Sequence, residues 1–210
     1  MEASLKQTVR IAILFAFTCA AMAVFSNSAQ AQKIDIAFGV GSTLAPGAST
    51  ASASQAAQSL TGGAFPGFSG DVLFWHNLGV GAEVFWRATQ ANNYDVNQLG
   101  AGLNYRPLFY NFNAVYSPKL ASHVYLELVG GIGASSTHFY QCDGCEQFGG
   151  SSLVATSKHF DGDFGGGLKL YLTKGFFVRP EARIYIINND TNYAGTYATR
   201  VGASIGYTFR

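Results

Sequence analysis

Apolar and polar residues alternate with a period of two along most of this chain, most plainly near its C-terminus. Val201, Ala203, Ile205, Tyr207 and Phe209 fall on one side, and Arg200, Gly202, Ser204, Gly206 and Thr208 on the other. Just before them, Phe176, Val178, Ala182, Ile184 and Ile186 share a side, with Arg179, Glu181 and Arg183 opposite. Successive side chains leave an extended backbone on opposite faces, so this period predicts strands. Six more follow from the same reading. Residues 33–42 set Ile34, Ile36, Phe38 and Val40 against Asp35, Ala37, Gly39 and Gly41. Residues 64–75 set Phe68, Gly70, Val72 and Phe74 against Asp71, and 80–89 set Val80, Ala82, Val84 and Trp86 against Glu83 and Arg87. A fourth strand over 99–116 ends with Leu108, Tyr110, Phe112, Ala114 and Tyr116 opposite Asn111 and Asn113. It breaks phase at Arg106 and Pro107, where a bulge or an edge-like irregularity is expected. Residues 123–135 place Val124, Leu126, Leu128 and Ile132 opposite Glu127, and 158–172 place Phe160, Phe164, Leu168, Leu170 and Leu172 opposite Asp161, Asp163 and Lys169.

The connections between these eight strands alternate in length. Those at 43–61, 90–98, 137–157 and 188–196 are long, and those at 76–79, 117–122 and 173–175 are short. The first long one is rich in Ser, Ala and Gln and reads as a mobile loop with little to pack, a short helix over 51–60 being the alternative. In 76–79, Asn77 and Gly79 supply the backbone freedom of a turn. A soluble sandwich has no reason to gather every long loop at one end. An outer-membrane barrel does, with short periplasmic turns and longer outer loops. The fold class expected is therefore all-β, an eight-stranded antiparallel up-and-down transmembrane β-barrel. Hydrocarbon cannot pair an open N–H or C=O, so such strands must close into a ring, and their outer faces can then be wholly apolar. Trp86, Tyr105, Tyr116, Phe176, Tyr185, Tyr197 and Tyr207 lie towards strand ends, where interfacial girdles of aromatics belong. A soluble ligand-binding barrel would share the alternation.

Composition moves the reading the same way. Charged residues are 12% of the chain, about half the usual soluble fraction, while aromatics reach 14% and glycine numbers 25. Lys6 and Arg10, the apolar run 11–25 and Ala29-Gln30-Ala31 have the three-part form of a cleaved secretory signal over 1–31. The apolar run is shorter than the roughly 20 residues a spanning helix needs. This leaves 32–210 as the barrel domain. Of the 13 Lys and Arg and 12 Asp and Glu, removal of Lys6, Arg10 and Glu2 leaves 11 of each. A neutral chain without a basic stripe excludes a nucleic-acid partner.

The charges on the small-residue faces are the first candidates for chemistry: Glu83, Arg87, Glu127, Asp161, Asp163, Lys169, Arg179, Glu181, Arg183 and Arg200. An eight-stranded barrel is just wide enough inside to be filled by side chains. Unpaired charges there are costly, so a salt-bridged plug is the leading expectation, and a narrow path for ions or small solutes the alternative. Cys142 and Cys145 form a C-x-x-C in a long loop. After export a disulfide is the leading reading, with zinc (His138 and His159 flank the pair) and a catalytic thiol pair behind it. His138, His159, Ser135, Ser136 and Asp161 allow a hydrolase constellation on paper, as in barrels that act on lipid A, but no spacing singles one out. No metal and no cofactor is expected, and the chain is read as a non-enzyme.

Val178-Arg179-Pro180-Glu181-Ala182-Arg183-Ile184-Tyr185, Tyr110-Asn111-Phe112-Asn113-Ala114-Val115-Tyr116 and the closing strand ending at Phe209 resemble the small OmpA/OmpX-like outer membrane protein beta-barrel domain family. The resemblance spans essentially the whole mature chain. It implies residence in the outer membrane of a Gram-negative-type bacterium, contact with its lipid and lipopolysaccharide, and insertion by the barrel-assembly machinery, which would read Tyr207 and Phe209. No peptidoglycan-binding segment follows the barrel, so an anchoring role is not expected. The function expected is structural or surface-interactive, as a monomer.

Overall fold

A computed structural model describes residues 33–45, 60–92, 103–142, 151–188 and 196–210. The signal expected over 1–31 and most of the first long loop lie outside them. The described strands are β1 (Lys33–Leu44), β2 (Phe65–Trp75), β3 (Leu78–Trp86), β4 (Ala91–Asn92), β5 (Leu103–Tyr116), β6 (Lys119–Ala121), β7 (Val124–Cys142), β8 (Ser151–Tyr171), β9 (Phe176–Ile187) and β10 (Tyr197–Phe209). They form one sheet in the order β4-β5-β3-β2-β1-β10-β9-β8-β7-β6, and β5 also pairs with β7, which closes it into a ring. Every pairing is antiparallel, from Ile34↔Phe209 at the seam of β1 with β10 to Tyr116↔Leu128 between β5 and β7. The two short strands continue existing staves. β4 follows β3 along the same neighbour, β5, and β6 follows β5 along β7. The ring therefore has eight staves.

Alternation sorts the side chains as the period requires. Phe112 is 70% exposed, Ile205 64% and Ile132 60%, while Asp161 and Lys169 are fully buried. That is the reverse of a soluble domain, and hydrocarbon is what covers such an exterior.

Several local expectations are corrected. The strands expected to stop at 135 and to resume at 158 run on, β7 to Cys142 and β8 from Ser151, so most of the loop expected at 137–157 is a long hairpin. Its outer part pairs β8 with β7, while β9 meets β8 only from Asp161 onward. The polar loop at 90–98 begins with β4, and the turn at 117–122 contains β6. β5 keeps its phase through Arg106 and Pro107, with Tyr105, Pro107 and Phe109 inside. The irregularity falls on the neighbouring stave instead, between β3 and β4. Pro107 has no N–H to return to Arg87, whose own N–H donates to the Pro107 carbonyl at 3.0 Å. The Arg106 Nε supplies the missing bond, donating to the Arg87 carbonyl at 2.8 Å.

At the β2–β3 hairpin the turn is only His76 and Asn77, both with positive φ (45° and 69°), as a two-residue hairpin requires. Gly79 belongs to β3, and a Cβ there would lie 2.1 Å from the Val72 carbonyl oxygen, so it serves close packing and not the turn. The first long loop was expected to have little to pack, yet its returning end carries Leu60, which is buried. The Thr43 hydroxyl donates to the Leu60 carbonyl and the Gly62 N–H to the Thr43 carbonyl at 2.7 Å, tying that end to β1. Thr43→Val is expected to lower stability by about 1 kcal/mol, the usual worth of one such bond, measured as a shifted urea midpoint of the heat-modifiable gel band. Two aromatics also change place. Tyr105 and Tyr185 point inward, whereas Tyr116, Phe176, Tyr197 and Tyr207 face out.

Candidate functional site

The lumen is built in three layers. At the end carrying the long connections, Phe65, Phe85, Phe109, Tyr185, Ile187 and Ala198 pack with Leu60 from the returning loop. Phe85 and Phe109 stack with ring centroids 4.7 Å apart and planes 4° apart. At the end carrying the short turns Leu73, Val115 and Val129 form a second apolar cluster. Beside them Tyr171 meets Tyr125 and Phe177, and its hydroxyl lies 2.8 Å from the Thr208 hydroxyl.

Between the two lies a continuous chain of charge. Lys169 bridges Asp35 (2.5 Å) and Glu127, with Asp71 at 3.8 Å. Glu127 also accepts from Arg179 (2.6 Å), which reaches Asp71 at 3.6 Å and Glu181 at 3.1 Å. Glu181 passes the chain to Arg200 (2.5 Å), and Arg200 to Glu83 (3.3 Å). Glu83 in turn holds Arg183 at 2.9 Å and accepts from the Tyr185 hydroxyl at 2.8 Å. Arg183 reaches Asp163 at 3.6 Å. Asp161 meets no base among the described residues. It accepts from the Asn111 amide at 2.5 Å, which also donates to Asp163 at 3.1 Å. The Arg200 guanidinium lies 4.3 Å above the Phe85 ring and joins the charged layer to the outer apolar one.

The sheet makes room for these long side chains with glycine. Gly165 and Gly167 of β8 lie opposite Arg183 and Glu181 of β9. A Cβ at Gly165 would come within 2.9 Å of the Arg183 side chain, and one at Gly167 within 3.1 Å of the Arg179 side chain. The glycine run is thus the floor on which the arginines lie.

Of the expected lumen charges, nine meet in this chain through ion pairs or through Asn111. Arg87 does not. It lies just past the end of β3 at the outer rim and is only half-buried, and its Nε has no hydrogen-bond partner. Two acids missing from the expected set, Asp35 and Asp71, are central to the chain, and both stand on the inner side of their strands by simple alternation. Asn111 and Tyr185 were missed as members for another reason: Asn carries no charge to balance, and Tyr suits a girdle as well as a lumen.

The remaining candidates scatter. Cys142 ends β7 and Cys145 lies outside the described residues, so the disulfide, zinc and thiol readings do too. No group of three or more His, Cys, Asp or Glu side chains gathers to hold a metal among the described residues. Of the paper hydrolase, Ser135, His159 and Asp161 share the inner face, with Ser135 opposite His159, whereas Ser136 and His138 stand on the outer face, across the barrel wall. His159 is engaged by the Ser157 hydroxyl at 2.8 Å and the Asn188 carbonyl at 3.1 Å. Tyr207 and Phe209 both face outward, with ring centroids 4.8 Å apart, and Tyr207 also meets Phe176.

Solved barrels share this architecture. A major outer membrane protein of Thermus thermophilus is similar over 86% of this chain and 100% of its own, with 12% identity and a TM-score of 0.61. Neisserial surface protein A matches over 85% and 97%, with 14% identity and a TM-score of 0.51. Ail, the attachment invasion locus protein of Yersinia pestis, matches over 85% and 97%, with 12% identity and a TM-score of 0.50. At these identities the likeness is one of fold. No curated protein matches the chain. The model of the family described as "Outer membrane protein beta-barrel domain" matches residues 17–209, nearly the full length. With a closed ring of eight staves, an apolar exterior and a charged interior, the chain belongs to the outer membrane protein beta-barrel domain family and resides in the bacterial outer membrane.

Proposed function

We propose that this protein is a sealed barrel that conducts nothing and acts through its outer end, as a structural or surface-contacting element of the outer membrane. The observation that carries this reading is the filled lumen. Two apolar layers cap a charged layer, and the cavity beside Glu83, Arg179, Glu181 and Arg200 is about 10 Å³, at the lower limit for one water. An ion crossing here would have to break a chain of buried pairs, each costly to open. The projecting β7–β8 hairpin supports the surface role. Residues 152–156 of β8 are all exposed, Leu153 and Val154 among them, and they pair with β7 alone.

In planar bilayers the purified barrel is expected to give no stepwise current. Discrete, voltage-dependent steps that change when Glu127 or Arg183 is substituted would replace this reading with a pore. Lipid A mass spectra from cells with and without the protein are expected to be the same. A shifted acylation or phosphate pattern would instead mean an enzyme.

A further inference from the structure

The charges of the lumen do not balance. Among the described residues the charge chain holds seven carboxylates but four bases, Lys169, Arg179, Arg183 and Arg200. Anions in excess away from water are costly unless something positive offsets them. The shortfall is greatest at Asp161 and Asp163. Arg183 stands 3.6 Å from Asp163 and is held more closely by Glu83, at 2.9 Å. Asp161 has only the Asn111 amide, through one oxygen, and its Oδ2 has no partner.

Neighbouring staves bring other oxygens to this point. Gly133 of β7 lies between Asn111 of β5 and Asp161 of β8 in the register. It offers no side chain, and a Cβ there would lie 2.6 Å from the Asn111 Nδ2, so Asn111 reaches across it to Asp161. One step further out on β7, Ser135 also faces in, diagonal to Asp161. The Ser135 Oγ and the Asn111 Oδ1 are buried and without a partner, like the Asp161 Oδ2. A carboxylate, a carboxamide and a hydroxyl thus present open oxygens from three adjacent staves, with the Asp163 carboxylate beside them. Oxygen donors with anions in excess are the ligand set of a hard cation. Magnesium keeps its waters and demands an ideal octahedron, whereas calcium accepts the irregular spacing that side chains on strands provide. There is also a way in. The outer apolar layer draws on β2, β3, β5, β9, β10 and the returning loop, and β7 and β8 give it no residue. At that height they carry Ser135 and Thr137 opposite His159 and Ser157, a polar seam that leads from the outer end down to Asp161. The seam ends at the ion-pair chain, so a site there leaves the barrel closed to conduction.

We propose that the barrel binds a calcium ion inside its lumen, on Asp161, Asp163, Asn111 and Ser135, and that the ion enters from the outer end between β7 and β8. The inference rests on the charge and the oxygens at this level and not on the absence of conduction, so either can fail alone.

The test uses the mature protein refolded into phosphatidylcholine bilayers, which carry no net charge to gather the ion, with heat-modifiable gel mobility confirming closure. Calcium at about 1 mM, against EDTA, is expected to raise the urea midpoint of the folded band by the equivalent of a roughly tenfold larger folding constant, the gain from a site of roughly 0.1 mM affinity. Terbium takes the same oxygen ligands and emits when excited through a nearby phenol. It is expected to be sensitised by Tyr185, which stands opposite Asp163 on β9, and to be displaced by calcium. Asp161→Asn is expected to abolish both signals, and Ser135→Ala to reduce the calcium gain to about twofold. Asp35→Asn, at the other end of the charge chain, is expected to keep both. A midpoint indifferent to calcium in the unsubstituted protein overturns the proposal, as does terbium emission that survives Asp161→Asn. Equal loss in Asp35→Asn would mean a general relief of lumen charge and also overturns it. Should Asp161→Asn fail to close, Ser135→Ala decides, and a full calcium gain in that variant rejects the site.

Discussion

Lys169→Met is expected to destabilise the folded barrel by about 3–5 kcal/mol. Lys169 is fully buried and stands between Asp35 and Glu127, with Asp71 just beyond. Methionine keeps the length of the side chain and removes the charge, so packing is nearly preserved while three carboxylates lose a shared cation. Arg179 can still serve Glu127 and Asp71, but no other base reaches Asp35 among the described ion pairs. The penalty is therefore that of a buried charge left without its partner, which exceeds the net worth of the pair itself. It is read from the urea midpoint of the heat-modifiable band. Lys174→Met, at the exposed turn before β9, serves as control and is expected to move the midpoint by no more than about 0.5 kcal/mol. A shift below that size at Lys169 would mean that water, not protein, holds the lumen carboxylates.

The second large effect concerns the other face of the wall. Ile205 is 64% exposed at the middle of β10 and Ser204, its neighbour, 4%. Ile205→Arg puts a guanidinium into hydrocarbon and is expected to cost roughly 2–4 kcal/mol, seen as a lower yield of the folded form in bilayers and a smaller loss in thin-bilayer lipids. Ser204→Arg acts differently. The Ser204 hydroxyl accepts from the Arg179 Nε at 3.1 Å, and a second guanidinium there has neither room nor an acid of its own. Its effect should be independent of bilayer thickness. If the two substitutions respond alike to thickness, the faces of β10 are assigned wrongly.

Much of this was legible in the residues because a two-sided wall leaves a two-residue rhythm. The inward Glu127, Arg179, Glu181 and Arg183 and the outward Phe112, Ile132 and Ile205 all follow from phase alone. Strand length was harder to see. In 152–156 every residue is exposed, so the rhythm fades even though the backbone stays extended, and such a strand reads as loop. Phase misled at Pro107 for a related reason. The residue interrupts its neighbour's ladder and not its own strand, and pairing across strands is not written in local order. Arg87 keeps the inward phase of β3 one step past its end, opposite the inward Pro107, yet it joins none of the described ion pairs. Asp35 and Asp71 were visible on the inner faces, but the base nearest Asp35 in sequence, Lys33, is not the one that pairs with it. Their partner, Lys169, comes from the far side of the ring.

The seam has a consequence of its own. β1 pairs with β2 on one side and with β10 on the other, so the cylinder is shut by joining the first described strand to the last. Every other stave meets a neighbour close by in the chain, and only this junction must wait for the full polypeptide. Loop-closure entropy for so distant a contact is large, and high contact order slows folding. The rate of insertion should thus be governed by how fast two remote edges find each other. Until they do, β1 and β10 each carry a row of unmet amides at the border of an unsealed sheet.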